Sequence, residues 1–161
     1  YRFLLTQMNV VSRSELDNLR EQFAQEVLRK KLLPAALREI RRHKECGRYT
    51  LMVTATNRYT SLASAQLAEV DTLIATDPEE KDGKFTGELI GEANYREGKA
   101  NKIRAWLKKS GRDLTDSWCY GDSNNDIHMM ELCENPVAVD PDEKLHEHAL
   151  QQGWRIISFR K

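Results

Sequence analysis

The sequence predicts an α/β fold, a parallel sheet with helices packed against it, and three observations carry that prediction. Short apolar or β-branched stretches alternate with stretches of helical periodicity along the chain, and strand, helix, strand at this spacing makes βαβ units. The run Tyr120-Gly121-Asp122-Ser123-Asn124-Asn125-Asp126 follows a strand-like Ser117-Trp118-Cys119-Tyr120 and precedes a segment in which Ile127, Met129, Met130 and Leu132 recur at helical spacing. Its polar residues therefore fall in a turn at the carboxyl edge of a sheet, where ligands bind in open α/β folds. Finally, 161 residues suffice for one domain with a proper core.

In chain order, Arg13 to Lys31 reads as an amphipathic helix with Leu16, Leu19, Phe23, Val27 and Leu28 on one face. Pro34 suits the first position of a second helix, Ala35 to about Cys46, which Gly47 ends. Tyr49 to Thr54 reads as a buried strand, Tyr59 to Leu67 as a helix and Thr72 to Ala75 as a short strand. Lys81-Asp82-Gly83-Lys84 is a turn, with Phe85 to Ile90 as a hairpin arm. Gly98 opens a helix from Lys99 to Lys109 that Gly111 closes. After the acidic turn come a helix to about Cys133 and a strand Pro136 to Val139. A helix to Gln151, capped by Asp142 and stopped by Gly153, leads into a last strand, Trp154 to Phe159.

Composition narrows the function classes. Twenty-five basic residues balance 25 acidic ones, so no excess charge calls for a nucleic acid or an anionic membrane as partner. Cys46, Cys119 and Cys133 form no C-x-x-C pair and are odd in number, as expected of reduced thiols in a cytoplasmic protein. No apolar run approaches the ~18 residues of a membrane span and no signal peptide is visible, although the chain opens on Tyr1.

Three constellations could carry chemistry. Leu51-Met52-Val53-Thr54-Ala55-Thr56-Asn57 is an apolar strand that runs into hydroxyls and an amide, offering an anion Thr54 Oγ and the following N–H groups. A β-branched Thr is equally at home in an ordinary strand. Arg96-Glu97-Gly98-Lys99 starts a helix, where the lysine charge adds to the positive end of the helix dipole; a lone lysine is usually just solvated. The turn from Asp122 to Asp126 packs two carboxylates and two amides beside a strand end, the hard-oxygen environment that Mg²⁺ prefers. Competing motifs fail. A P-loop would need Gly at Ala93 and a hydroxyl at Ala100, and a calcium loop would need Gly at Ile127 and Glu at Cys133. His128, His146 and His148 lack a zinc-type partner set and suit an exposed helix face.

A strand-end Thr, then a helix-opening Lys, then strand-G-D-x-x-x-D resembles the second, third and fourth motifs of the haloacid dehalogenase-like phosphohydrolases. Val53-Thr54-Ala55-Thr56-Asn57, Asp82-Gly83-Lys84-Phe85-Thr86-Gly87, Arg96-Glu97-Gly98-Lys99 and Pro136-Val137-Ala138-Val139-Asp140-Pro141-Asp142 are similar to the phosphoserine-phosphatase-like branch, over residues 20 to 161. The resemblance implies a three-layer α/β/α, Rossmann-like parallel sheet and a Mg²⁺-dependent phosphomonoesterase for small metabolite phosphates, working through an aspartyl-phosphate. It implies that Thr54 hydrogen-bonds a phosphoryl oxygen and that Lys99 neutralises the phosphate and the nucleophilic carboxylate. Asp122 would bind Mg²⁺, and Asp126 would support the metal shell through waters or by fixing Lys99. Asn125 would contact substrate or phosphate, with Asn57 a lesser candidate. Such chemistry is mostly positioning and electrostatic stabilisation.

One motif departs from that pattern. The family's nucleophile is the first Asp of D-x-D-x-[TV] on the central strand, and nothing ahead of Thr54 matches it. Asp140-Pro141-Asp142 has Lys144 where Thr or Val belongs, and its proline removes an N–H that a phosphate cradle would use. A parallel sheet without its middle strand would leave several backbone groups unpaired at about 1–3 kcal/mol each, against a domain stability of ~5–15 kcal/mol. An upstream segment carrying D-x-D-x-[TV] is therefore expected. Residues 1–20 then form the tail of an inserted helical cap, and residues 21–161 the core lacking its first strand. Alone, the 161 residues are expected not to turn over substrate. The other reading is a phosphate- or metal-binding module that has lost its nucleophile; a phosphotransferase or phosphonate-cleaving relative would share every residue named.

Overall fold

A computed structural model describes residues 2–160; Tyr1 and Lys161, the outer ends of the two expected segments, lie outside the described residues. The chain divides into two compact units, Tyr1–Asn94 and Tyr95–Lys161.

The first unit begins with α1 (Arg2–Gln7), a 3-10 turn (Met8–Val10) and α2 (Arg13–Phe23). Ser12 starts α2 with a capping box: its hydroxyl accepts from the Glu15 amide at 3.3 Å, and the Glu15 carboxylate accepts from the Ser12 amide at 2.9 Å. The helix predicted to Lys31 is not uniform. A π-helical turn, Ala24–Leu28, separates α2 from α3 (Arg29–Lys31) and shifts the apolar stripe out of phase. Of that stripe Leu16 packs on a core of Leu5, Tyr59 and Phe85, whereas Leu19 and Phe23 are 52% and 51% exposed.

Then follow α4 (Pro34–Glu45), with Pro34 at its start, β1 (Leu51–Asn57), α5 (Arg58–Leu67) and β2 (Thr72–Thr76). β1 and β2 pair in parallel as expected of a βαβ unit, with the register shifting between Val53 and Asn57. The expected turn at Asp82-Gly83 joins β3 (Pro78–Lys81) to β4 (Lys84–Leu89), an antiparallel pair. Both turn residues have positive φ, 51° and 74°, the backbone of a two-residue hairpin that D-G favours. The first arm was illegible because Pro78, Glu79, Glu80 and Lys81 are poor strand formers.

Residues ahead of α2 are tied to this hairpin. Asn9 accepts from the Phe85 amide at 2.9 Å and donates to the Phe85 carbonyl at 2.7 Å. Tyr59 meets Phe85 edge-on at 5.4 Å, carries the Arg13 and Arg20 guanidinium groups at 4.5 and 4.4 Å from its ring centre, and donates to Asp17 at 2.7 Å. Burial, and then the bond to Asp17, push the Tyr59 phenol up to about 12. An unfolded tyrosine ionises near 10, so the stabilising un-ionised form is fully present below that value and is lost as pH rises through about 12. Among the five tyrosines, alkaline absorbance titration should show a last phase near 12 that Tyr59→Phe removes. A titration complete near 10 would contradict this.

The second unit comprises α6 (Glu97–Ser110), β5 (Trp118–Gly121), a 3-10 turn (Asn124–Asp126), α7 (Ile127–Met130), β6 (Asn135–Val139), α8 (Glu143–Gln152) and β7 (Arg155–Ile157). Its sheet is parallel, in the order β5-β6-β7. The middle strand is the most buried, with Val137 and Ala138 at 1% and 0% exposed, and Met130, Leu145 and Ala149 are fully buried. The predicted α/β architecture of parallel strands and helices is thus present. α7 stops short of the expected Cys133 because Leu132 and Cys133 bond three residues back, to Met129 and Met130, closing tight turns that end the helix. Asp142 caps α8 as predicted, accepting from the Leu145 amide at 2.8 Å. Cys119 is buried, and its hydrogen bond with Cys133, together with burial, holds its thiol well above the usual value. Among the described residues no helix is long and apolar enough to cross a membrane.

Candidate active site

In the second unit the residues singled out from the sequence meet at the carboxyl end of β5. Lys99 lies in the first turn of α6 and Asp126 ends the turn after β5; they are 7% and 5% exposed. Lys99 Nζ donates to Asp126 Oδ1 in a buried ion pair. The other oxygen, Oδ2, accepts from the Asp122 amide at 3.3 Å. Asp126 is therefore a strut between α6 and the acidic turn, one oxygen on Lys99 and the other on the Asp122 amide.

Gly121 makes this arrangement sterically feasible. A Cβ at that position would lie 2.6 Å from Met130 Sδ and 2.7 Å from Asp126 Cβ, far inside van der Waals contact. Gly121→Ala should therefore cost about 1–3 kcal/mol, the range for overpacking, and displace Asp126 from Lys99. Urea unfolding of the intact protein checks the first effect; an unchanged midpoint would show that the turn yields freely.

The Asp122 carboxylate faces solvent and has no hydrogen-bond or ion-pair partner among the described residues. Its backbone is clamped instead. The Asp122 carbonyl accepts from the Asp142 amide at 2.8 Å, and Asp142 Oδ2 accepts from the Asn124 amide at 2.9 Å. One residue thus caps α8 and braces the acidic turn, a second duty of Asp142 that its capping pattern did not reveal. Asn125 is half-buried; its Oδ1 accepts from Arg96 Nε at 3.3 Å, and its amide N–H donates to Ser123 Oγ.

Thr54 and Asn57 belong to the first unit. Thr54 is half-buried near the end of β1, and its hydroxyl oxygen accepts from the Thr56 amide at 3.2 Å. Asn57 is the N-cap of α5, its Oδ1 accepting from the Thr60 amide at 2.9 Å. Sequence reasoning missed Asn94, which is fully buried and bridges both strands where their register shifts. Its Nδ2 donates to the Thr54 and Ile74 carbonyls at 2.6 and 3.0 Å, while its amide donates to Thr76 Oγ1 at 3.0 Å. Its Oδ1 is buried with no partner among the described residues. No local periodicity marks such a residue.

Mg²⁺ takes oxygen ligands, keeps several waters and is bound by one or two carboxylates. The open carboxylate of Asp122 fits as one ligand. Among the described residues no three His, Cys, Asp or Glu side chains gather to hold a metal by themselves. His128 is exposed, as anticipated, beside Glu131. His148 is not: it is half-buried, edge-on to Trp154 at 4.8 Å between ring centres.

The model of the haloacid dehalogenase-like hydrolases matches residues 2–131. A histidinol-phosphatase of Neisseria meningitidis is 29% identical over 163 aligned residues, covering 99% of this chain and 73% of that protein. A phosphoserine phosphatase of Mycobacterium tuberculosis is 32% identical over 147 residues, 91% of this chain and 48% of that protein. The chain thus spans about three quarters of one curated relative and about half of the other. A crystal structure of a Bordetella pertussis protein of unknown function superposes with a TM-score of 0.92 at 36% identity, covering 98% of this chain and 72% of that one.

Proposed function

We infer that this chain, which belongs to the haloacid dehalogenase-like hydrolase family, is the larger part of a phosphomonoesterase for small metabolite phosphates. The observation that carries the reading is the buried Lys99–Asp126 pair beside the open carboxylate of Asp122 at a strand's carboxyl end. A cation held rigid by one carboxylate, next to a second carboxylate left open for a metal ion, is what a phosphoryl group losing its leaving oxygen requires.

In this proposal Lys99 Nζ, held by Asp126, faces the transferring phosphoryl group and the attacking carboxylate and offsets their mutual repulsion. Asp122 would hold Mg²⁺ through its carboxylate, with Asp126 behind it, and the ion when bound would draw charge from the phosphoryl oxygens. Asn125 donates its side-chain N–H to a phosphoryl oxygen and Thr54 its hydroxyl, with Asn57 a weaker candidate for the same ligand. The attacking Asp comes from an upstream segment carrying D-x-D-x-[TV], through an aspartyl-phosphate. Two facts support such a segment. Among the described residues β1, which bears Thr54, and β5, which leads to Asp122, are each the outermost strand of their own sheet. Asn94 Oδ1 also lacks a donor among the described residues. Residues 1–20 are proposed to be the tail of a cap inserted after that strand.

The names of the relatives suggest phosphoserine and histidinol phosphate as the first substrates to try. The test is phosphate release by the intact gene product from a panel of metabolite phosphates, with and without Mg²⁺. Release that needs Mg²⁺ is expected, and the 161 residues alone should give none. Tight phosphate binding without release from any ester would favour a non-catalytic binding module.

A further inference from the structure

Arg96 holds a backbone conformation that side chains avoid. The Gly98 amide donates to the Tyr95 carbonyl at 2.9 Å, closing a four-residue turn. Its second residue, Arg96, has φ 48° and ψ −118°, the type II′ geometry that glycine supplies without strain. A non-glycine residue there persists only when its surroundings compel it, and such outliers cluster at functional sites.

The guanidinium group indicates what Arg96 does. Its Nε donates to Asn125 Oδ1 at 3.3 Å, its carbon stands 5.4 Å from the Tyr95 ring centre, and it forms no ion pair among the described residues. An amide side chain has two faces of nearly equal shape and opposite polarity. With Oδ1 engaged by Arg96, Asn125 must turn its Nδ2–H groups the other way, as donors. Released from Arg96, the same amide could present its oxygen, which repels a phosphoryl oxygen. Arg96 also immediately precedes α6, three residues before Lys99, so one short segment sets both the cation and the amide.

We propose that Arg96 is a positioning residue, its strained turn and Nε–H locking Asn125 so that the amide presents only hydrogen-bond donors to an anionic phosphoryl group. The inference rests on the proposed phosphatase reading for the role of Asn125. Lysine cannot replace it, because it lacks a planar N–H at the Nε position.

The test uses the intact gene product, with inorganic phosphate affinity by calorimetry, kcat/KM on an aryl phosphate, and the thermal midpoint. Arg96→Gly should raise the midpoint by roughly 2–4 °C, the shift expected for about this chain length when such strain is relieved. It should also weaken phosphate binding and kcat/KM about tenfold, the scale of one charge-assisted hydrogen bond. Arg96→Lys should not recover either loss. In an Asn125→Ala background Arg96→Gly should have no further effect on phosphate, since the group it positions is gone. Unchanged phosphate affinity in Arg96→Gly, or a full additional loss in the double variant, would overturn the proposal. A wild type that binds phosphate but hydrolyses no ester would remove the phosphatase reading, while the affinities would still decide the role of Arg96. A wild type that does neither would overturn both.

Discussion

Lys99→Met should be the most damaging single change in this chain. It leaves the Asp126 carboxylate, 5% exposed, without its cation, and breaking a buried ion pair by removing one partner costs about 3–5 kcal/mol. That is a large fraction of a domain's ~5–15 kcal/mol. Activity should fall by more than the stability loss explains, since removing one group that stabilises developing charge costs ~10²–10³ in rate. A double variant separates the two effects. Lys99→Met with Asp126→Asn carries no buried charge and should regain much of the stability, measured by urea unfolding, while hydrolysis of an aryl phosphate stays lost. If the double variant recovered activity along with stability, Lys99 would be a structural residue and the phosphatase reading would lose its cation.

Asp122→Ala should behave in the opposite way. The carboxylate is exposed and unpartnered among the described residues, and a surface change of that kind moves stability by no more than about 0.5 kcal/mol. Its backbone contacts, from the Asp142 amide to its carbonyl and from its own amide to Asp126, survive the substitution. Mg²⁺-dependent phosphate release by the intact protein should nonetheless vanish. The comparison to make is rate against Mg²⁺ concentration for the wild type and the variant, at matched folded fractions. An unaltered Mg²⁺ response would remove Asp122 from the metal shell. Loss of folding instead of activity would mean that the turn, not the ion, depends on the carboxylate.

Much of the fold was legible from periodicity. The parallel strands at Leu51, Thr72, Trp118 and Asn135 and the helices begun by Pro34, by the segment before Lys99 and by Asp142 stand close to where the patterns put them. Their signals are local: apolar runs, a proline at a helix start, a capping carboxylate. The hairpin arm Pro78–Lys81 escaped notice because its pairing with β4, not its own composition, makes it a strand. The stripe of α2 was read as continuous, and the π-helical turn at Ala24–Leu28 interrupts it; a one-residue change of phase leaves no mark in an apolar count.

The candidate site divides in the same way. Lys99, Asp122 and Asp126 could be picked out because a strand end, a helix start and a hard-oxygen turn each have a recognisable composition. Asn94, Arg96 and the second role of Asp142 could not, because each acts on a partner that only folding brings near. Asn94 meets two strand carbonyls, Arg96 a side chain 29 residues away, and Asp142 a turn 18 residues earlier.

By itself, then, the amino-acid sequence determined the class of fold, the strand end at which the candidate site lies and the residue types available there. These follow from backbone periodicity and side-chain charge, which every short segment carries independently. Tertiary structure alone decided that Lys99 is buried against Asp126, that Gly121 must lack a side chain and that Arg96 is forced into a turn suited to glycine. Burial, close approach and backbone strain belong to pairs of segments distant in the chain, and no single segment contains them.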